Sequence, residues 1–276
     1  MKAVHVNSFA PFFAKHGINA KPRTEKFDLY NTVISALNWR KYNGEIHLIC
    51  DKASGEHYKN IGLTAIWNGI QPIIPDDLEG INPQMFWAAG KLLALREIPA
   101  PAVMLDTDFI VWKKLTFGDR IIAAHREDLY PDVYPDVSYF QMKNGYVFNR
   151  NFNYSELPLN TAFVYLPDED FKRFYVSMAL DFMKSAKDCS DALCYMVYAE
   201  QRMLAMCAEH LKIPVDVLLD KDRLFEPQSD YTHLWGEKQK MRDNPAEEAG
   251  FNRRCAARIR QDFPEYEYII EKIERI

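Results

Sequence analysis

The chain has 276 residues, of which 48% are apolar and 26% are charged, and its formal net charge is −5. This composition is typical of soluble globular proteins, and the length accommodates one large α/β domain. Because a chain without a basic excess cannot displace the counterions of nucleic acid, we expect no nucleic-acid partner.

The cysteines are odd in number and include no Cys-x-x-Cys pair, which argues against a disulfide framework and against a zinc site. They are Cys50, Cys189, Cys194, Cys207 and Cys255. The first residues lack the apolar stretch of a signal peptide, and no window has the roughly 18 apolar residues of a membrane-spanning helix. We therefore expect a soluble, cytoplasmic protein.

The first half of the chain alternates strand-like and helix-like patterns. The predicted elements are a strand over residues 3–9, a helix over 27–42 with Thr24 as its N-cap, a strand over 45–50, a weaker strand over 63–67, a helix that starts at Asn82-Pro83 and runs through Leu95, and a strand that contains Asp106 and Asp108. Strands and helices in this order indicate a parallel sheet with helices packed on it.

The second half begins with a loop over residues 128–156, which is rich in Tyr, Asp, Pro and Asn and has a short hairpin predicted at 145–149. The predicted elements after it are a strand over 159–166, a helix of about 20 residues from Asp168, a helix from Ser190 to Leu211, a strand over 214–218, and a helical tail that starts at Asn244-Pro245. We expect an α/β fold with a mostly parallel central sheet, in one domain over 1–243, with a helical C-terminal appendage over 244–276.

The strongest chemical signal is the run Pro101-Ala-Val-Met-Leu-Asp106-Thr-Asp108-Phe-Ile-Val-Trp112. Two residues that are two positions apart on a strand point to the same side, so Asp106 and Asp108 can converge. Their mutual repulsion favours a hard divalent cation with oxygen ligands, Mg²⁺ or Mn²⁺, that also holds a phosphate. The alternative for so short a pattern is that one Asp faces water and the other caps a turn.

A second cluster lies far downstream, in a segment that is irregular in sequence. His233 is followed by Gly236 and Lys238. This grouping can place an imidazole on a metal while a backbone N–H and an ammonium hold phosphate oxygens. A lone histidine is otherwise an ordinary surface or core residue.

Three further polar residues are candidates for ligand contact. Asn160 opens a strand, and Gln201 lies with Glu200 in an otherwise apolar helical pattern, where a buried amide must find a partner. Lys91 lies on the helix that feeds the Asp-x-Asp strand. Each residue also has an ordinary alternative to ligand contact. Asn160 could simply belong to a turn, Gln201 could hydrogen-bond to the backbone of another helix, and Lys91 could be solvated.

The order of these motifs resembles that of the GT-A-fold nucleotide-sugar glycosyltransferases, in the branch that is similar to glycogenin and to lipopolysaccharide galactosyltransferases. The shared motifs are an apolar strand with Asp-x-Asp, then Leu159-Asn160-Thr161, then an acidic-Gln pair on a helix, then His-x-x-Gly with a nearby lysine. The resemblance covers roughly residues 3–240. Members of this group usually carry the lysine six residues after the histidine, whereas this chain has Gln239 there, between Lys238 and Lys240.

The resemblance implies a GT-A-like fold and a metal-dependent transferase, with a nucleoside-diphosphate-sugar donor, a UDP-sugar above all, and a carbohydrate or glycan acceptor. It implies that Asp106, Asp108 and His233 bind Mn²⁺ or Mg²⁺ and that Asn160 and Gln201 contact sugar or acceptor. By the rule that open α/β sheets bind ligands at the carboxyl ends of their strands, Ser8 and Asp51 would line the nucleotide pocket. Lys91, Gly236 and Lys238 complete the predicted donor site.

Two other functions remain open. A haloacid-dehalogenase-like phosphatase also has Asp-x-Asp after an apolar strand, and Asp106 would then be a nucleophile that forms an aspartyl-phosphate. The other is a catalytically inactive module that only binds sugar nucleotides. Metal-dependent release of nucleoside diphosphate from a sugar donor separates the transferase from both.

Two further surfaces are candidates for contact with an acceptor or a membrane. The loop over 128–156 offers aromatic faces for an acceptor sugar, or else simply packs on the core. The arginines of the C-terminal tail could touch an anionic membrane, which would be peripheral contact at most; a solvated helix face is the alternative. They are Arg253, Arg254, Arg258 and Arg260.

Overall fold

The strands pack into a central seven-stranded sheet in the order β3-β2-β1-β4-β7-β6-β8, beside a two-stranded sheet of β5 and β9. The computed structural model describes residues 1–224, 226, 228–234 and 236–276. The strands are β1 Ala3–Asn7, β2 Ile46–Cys50, β3 Gly69–Pro72, β4 Ala102–Leu105, β5 Phe109–Val111, β6 Ile121–Ala123, β7 Phe163–Leu166, β8 Val215–Val217 and β9 Tyr231–His233.

The sheet is mostly parallel, as predicted. In the seven-stranded sheet β7 runs antiparallel to both of its neighbours, β4 and β6, and the other paired strands are parallel. The mixed sheet flanked by helices is consistent with the predicted GT-A-like fold.

Helices cover both faces of this sheet. They are α1 Ala10–His16, α2 Lys26–Tyr42, α3 Lys52–Asn60, α4 Ala89–Glu97, α5 Glu169–Ser185, α6 Ala192–Val197, α7 Met203–His210, α8 Glu237–Asp243, α9 Pro245–Asp262 and α10 Tyr268–Glu274. The side chains of β4 alternate between two cores: Met104 packs with α4 to α7, and Val103 and Leu105 pack with α2, α9 and α10. This alternation is the two-residue period of a strand that is buried on both faces.

The C-terminal helices lie against α2. The Tyr30 hydroxyl donates to Glu274 Oε1 at 2.6 Å. The Asn244 side chain caps α9 by accepting from the backbone N–H groups of Ala246 and Glu247, at the place where the sequence predicted the start of the helical tail. The division into 1–243 and 244–276 stays a prediction.

Two of the arginines of α9 form ion pairs with acidic neighbours, Arg258 with Asp262 and Arg260 with Glu267.

Two elements were placed wrongly. The stretch predicted as a third strand forms a 3₁₀ turn at Thr64–Ile66, and the strand follows at Gly69–Pro72. The helix predicted from Asn82 begins only at Ala89, because the Asn82 side chain caps a turn instead, accepting from the backbone N–H of Gln84 at 3.0 Å.

The predicted N-cap of α2 and the predicted hairpin at 145–149 were also wrong. Thr24 does not cap α2; its hydroxyl meets His57 Nε2 at 3.1 Å. The residues around Gly145 form no hairpin. All five cysteines are free thiols. Within the described residues, no helix has both the length and the apolarity needed to cross a bilayer.

A buried histidine links the core to the backbone of β5. The Trp67 indole N–H donates to His5 Nδ1 at 3.1 Å, and His5 Nε2 meets the Ser35 hydroxyl at 3.0 Å. That hydroxyl donates in turn to the carbonyl of Phe109 at 2.6 Å. Burial lowers the pKa of His5 to about 3, against a smaller opposing effect of Asp108.

We therefore predict that His5 makes the fold acid-sensitive. The unfolded chain binds a proton at His5 below about pH 6.5 whereas the folded chain does so only near pH 3, so stability falls as the pH drops through this window. Between pH 7 and pH 5 the loss from this group is about 2 kcal/mol. Urea unfolding of the wild type and of His5→Gln at both pH values measures it. Equal pH dependence in the two proteins would contradict the prediction.

Candidate active site

A cavity of about 540 Å³ opens near the carboxyl ends of β1 and β4. This is where open α/β sheets bind their ligands. Nine of the ten residues predicted from the sequence line it: Ser8, Lys91, Asp106, Asp108, Asn160, Gln201, His233, Gly236 and Lys238. The exception is Asp51.

Asp106 and Asp108 converge, but not for the reason expected. They do not lie within a strand; they occupy a turn between β4 and β5, closed by a hydrogen bond from the backbone N–H of Phe109 to the carbonyl of Asp106 at 3.0 Å. The backbone N–H of Asp106 donates to Ala162 at 2.7 Å, which fixes the turn against the start of β7.

His233 reaches the turn from a strand that the sequence did not reveal. It lies on β9, in register with Phe109 of β5, and the backbone N–H of Leu234 donates to the carbonyl of Asp108 at 3.3 Å. The His233 Nε2 atom is 3.9 Å from Asp108 Oδ1. Trp235, within the His-x-x-Gly motif, lies outside the described residues.

The donor set of this cluster fits a divalent cation. One ligand atom each from Asp106, Asp108 and His233 lies within 4.8 Å of the other two. Burial lowers the pKa of His233, which favours the neutral imidazole that metals bind. Two carboxylates and an imidazole suit a hard or borderline ion such as Mg²⁺ or Mn²⁺.

Lys91 neutralises one of the two aspartates. Its Nζ lies 2.8 Å from Asp106 Oδ1 and 2.7 Å from Glu200 Oε1, and it also donates to the carbonyl of Thr161. Burial opposes its positive charge, but the two carboxylates outweigh burial and raise the pKa of Lys91. Lys91 is therefore a charged residue fixed between two acids.

Lys238 neutralises the other aspartate, Asp108. Its Nζ lies 3.0 Å from Asp108 Oδ2 and 3.1 Å from Asp28 Oδ1 on α2. Burial opposes ionisation of Asp108, but Lys238 and then His233 outweigh it and lower the pKa of Asp108. One oxygen of Asp108 thus meets Lys238 while the other faces His233.

The network remains negative overall. Its carboxylates, Asp28, Asp106, Asp108 and Glu200, outnumber its lysines four to two. An excess of negative charge in a largely buried cluster favours the uptake of a cation.

Glu200 and Gln201 lie on a π-helical segment, Tyr198–Arg202, between α6 and α7. The single helix predicted over 190–211 is therefore interrupted. Such segments are frequent at functional sites because the extra residue turns side chains away from the regular helical positions. Burial raises the pKa of Glu200, with Lys91 opposing the shift.

Asn160 lines the cavity with its amide already engaged. Its Nδ2 donates to Glu127 Oε1 at 2.8 Å, and its Oδ1 accepts from the backbone N–H of Ala162 at 3.0 Å. Glu127 is also joined to Gln201 through the hydroxyl of Tyr134, which lies 2.6 Å from Glu127 Oε2 and 2.6 Å from Gln201 Oε1.

The loop over 128–156 does not border the cavity, contrary to the prediction for an acceptor side. None of its residues, all of them described, lines the cavity. Phe140 and Phe152 bury themselves in the core instead. The loop reaches the site indirectly: Tyr134 contacts Gln201, and Arg202 of the Tyr198–Arg202 segment donates to the carbonyls of Pro135 and Tyr154.

Asp51 was assigned to the nucleotide pocket, and the structure gives it a different place. Its carboxylate caps α3 by accepting from the backbone N–H of Ser54 at 2.7 Å, and it accepts from that of Phe9 at 2.5 Å. Ser8, next to Phe9, does line the cavity. A Cβ at Gly90 would come within 3.3 Å of Ser8 Cβ, so glycine lets α4 approach the end of β1.

Sequence reasoning missed several residues of the site, and four of them are polar or aromatic side chains that bear on its chemistry. Asp28 and Glu200 hold the lysines, and Trp87 and Arg242 line the cavity. Glu200 had a signal, since it is an acid in an apolar helical pattern beside Gln201. The others had none, because an aspartate in a first helical turn or an isolated Trp or Arg is ordinary.

A sequence family described as "Family of unknown function (DUF6734)" matches residues 21–273. The chain belongs to this family. No curated protein matches this DUF6734 chain.

Solved structures that are similar to this DUF6734 chain are distant. The PaToxG glycosyltransferase is 13% identical over 77% of this chain and 78% of its own, with a TM-score of 0.34. The glycosyltransferase GlyE of Streptococcus pneumoniae TIGR4 is 11% identical over 81% of this chain and 46% of its own, with a TM-score of 0.40. The inositol-1-phosphate CTP transferase of T. maritima is 14% identical over 79% of this chain and 84% of its own, with a TM-score of 0.36. TM-scores this low carry no information about function.

The buried ion pairs of Lys91 lead to a stability prediction. Lys91→Met should lower the free energy of unfolding by about 3 kcal/mol, because Glu200 and Asp106 lose the cation that compensates them. Adding Glu200→Gln to that variant should restore part of the loss. Urea unfolding of the two single variants and the double variant measures the coupling; additive losses would show that Lys91 and Glu200 do not stabilise each other.

Proposed function

We propose that this protein is a metal-dependent glycosyltransferase, which moves a sugar from a nucleoside-diphosphate-sugar, a UDP-sugar above all, to a hydroxyl group of a carbohydrate or other acceptor. The observation that carries the proposal is the convergence of Asp106, Asp108 and His233 in one cavity. The ammonium group of Lys238 contacts the carboxylate of Asp108 in the same cavity. This combination of a cation site and an adjacent ammonium suits a diphosphate.

The aspartates and His233 would hold Mn²⁺ or Mg²⁺, whose charge stabilises a nucleoside diphosphate as it leaves the sugar. Lys238 is held between Asp28 and Asp108, and it adds a second positive charge at that side of the cavity. Gly236, with a φ of 78°, adopts the left-handed conformation that begins α8 and brings Lys238 into place.

Other residues act around Asp106. Lys91 holds Asp106 and Glu200 in fixed positions, and Gln201 brings an amide to the cavity from the π-helical segment. Asn160 is a positioning residue in this proposal, because both ends of its amide serve Glu127 and the backbone. Ser8 lines the part of the cavity next to β1, where the nucleoside would bind.

The test is release of nucleoside diphosphate from UDP-sugars, compared with and without Mn²⁺. We predict Mn²⁺-dependent release by the wild type and a loss of about a hundredfold or more in Asp108→Asn, since that variant removes a ligand of the ion. Asp132→Asn is the matched control: the same substitution, in an exposed residue that does not line the cavity, should leave release unchanged.

Three results would contradict the proposal. Hydrolysis of small phosphomonoesters without sugar-nucleotide turnover would indicate the phosphatase with Asp106 as nucleophile. Binding of UDP with Mn²⁺, seen as a thermal shift, without any release would indicate an inactive binding module. Full activity in Asp108→Asn would show that the aspartate pair is not the metal site.

A further inference from the structure

Trp87 is an exposed tryptophan inside the cavity. Its relative exposure is 44%, whereas Trp39 and Trp67 are buried in the core and Trp112 is half-buried. A large aromatic side chain that stays open to solvent within a concave site is a frequent feature of ligand contact, because its apolar area is still to be covered.

The residues that line the cavity fall into two chemically different groups, called here its charged side and its apolar side. The aspartates, Lys91 and Lys238 form one of them. The other is apolar and consists of Trp87, Ala88, Met196 and Val197. The backbone N–H of Ala88 donates to the side-chain sulfur of Met196, Sδ, at 3.3 Å, and this contact joins the two segments that build the apolar side.

A polar group lies next to this apolar side. Gln201 follows Val197 by four residues and lines the same cavity, and Tyr134 fixes its Oε1. A molecule bound here would meet an aromatic or aliphatic face together with a hydrogen-bonding amide. A sugar ring has this chemistry, since C–H groups cover its face and hydroxyl groups project from its edge.

We infer that Trp87 is a stacking platform for the acceptor and that the acceptor is therefore a saccharide. This inference rests on the proposed function, in which the diphosphate occupies the charged side and leaves the apolar side to the second reactant. It also relocates the acceptor site, from the loop over 128–156 to the segment before α4 and to α6.

Saturation-transfer NMR tests the inference directly. The probes are methyl β-D-glucopyranoside, methyl β-D-galactopyranoside, methyl α-D-mannopyranoside and maltose, each measured with and without UDP and Mg²⁺. We expect transfer to ring C–H protons in the wild type, at least about tenfold weaker binding in Trp87→Ala, and near-wild-type binding in Trp87→Phe, which keeps an aromatic face.

Two controls make the result specific. Tyr130→Ala removes an exposed aromatic side chain of the 128–156 loop, which does not line the cavity, and should leave saccharide binding unchanged. The affinity for UDP with Mg²⁺, measured by calorimetry, should be equal in Trp87→Ala and the wild type.

Several outcomes would overturn the inference. A parallel loss of UDP affinity in Trp87→Ala would place the nucleobase on Trp87. Saccharide binding that persists in Trp87→Ala, or that is lost in Tyr130→Ala, would show that Trp87 is not the platform. Absence of transfer to every probe in the wild type would show that the site does not bind these saccharides. Failure of the proposed function is a separate result, because a wild type that binds no UDP can still be tested with saccharides alone.

Discussion

The site depends on the cost of placing acidic side chains together at the end of a buried strand. β4 is buried along its whole length, and the turn after it carries two aspartates that are separated by one residue. Carboxylates so close to a core are tolerated only with cations beside them. Lys91 and Lys238 meet this need, one for each aspartate, and each lysine also contacts a second acid.

These ion pairs also connect the elements around the cavity. Through Lys91 the turn is tied to α4 and to the π-helical segment, and through Lys238 it is tied to α8 and to α2. The surplus of carboxylates that remains favours a divalent ion at Asp106, Asp108 and His233. In the proposed function, the same charges that shape the cavity would hold a metal ion and a diphosphate.

Much of this arrangement was readable in the sequence, since apolar runs that end in polar residues mark strands whose carboxyl ends meet at one edge. The Asp-x-Asp run was recognisable in this way, whereas His233 and Lys238 were recognised from the His-x-x-Gly spacing with a nearby lysine in an irregular segment. β9 was not, because three residues in a polar segment carry too little pattern to indicate a strand. The π-helical segment was also hidden, since one extra residue leaves the helical spacing on both sides nearly intact.

Other errors arise because one residue type serves two purposes. Asp51 follows a strand, as a ligand-binding acid would, but an aspartate at that place can equally cap the next helix, and it does. The aromatic loop over 128–156 had the composition of a sugar site, yet its rings fill the core. Trp87 does line the cavity, in a segment that reads as the first turns of a helix.

The central claim is that Asp106, Asp108 and His233 form a metal site for a nucleoside diphosphate. Anomalous diffraction at the manganese edge, from crystals grown with Mn²⁺ and UDP, tests it most directly. We predict one strong peak at about 2 Å from a carboxylate oxygen of Asp108 and from His233 Nε2, with diphosphate oxygens on the same ion. Ordered UDP in the cavity with no manganese at this cluster, and with Lys91 and Lys238 as the only cations beside the aspartates, would contradict the claim.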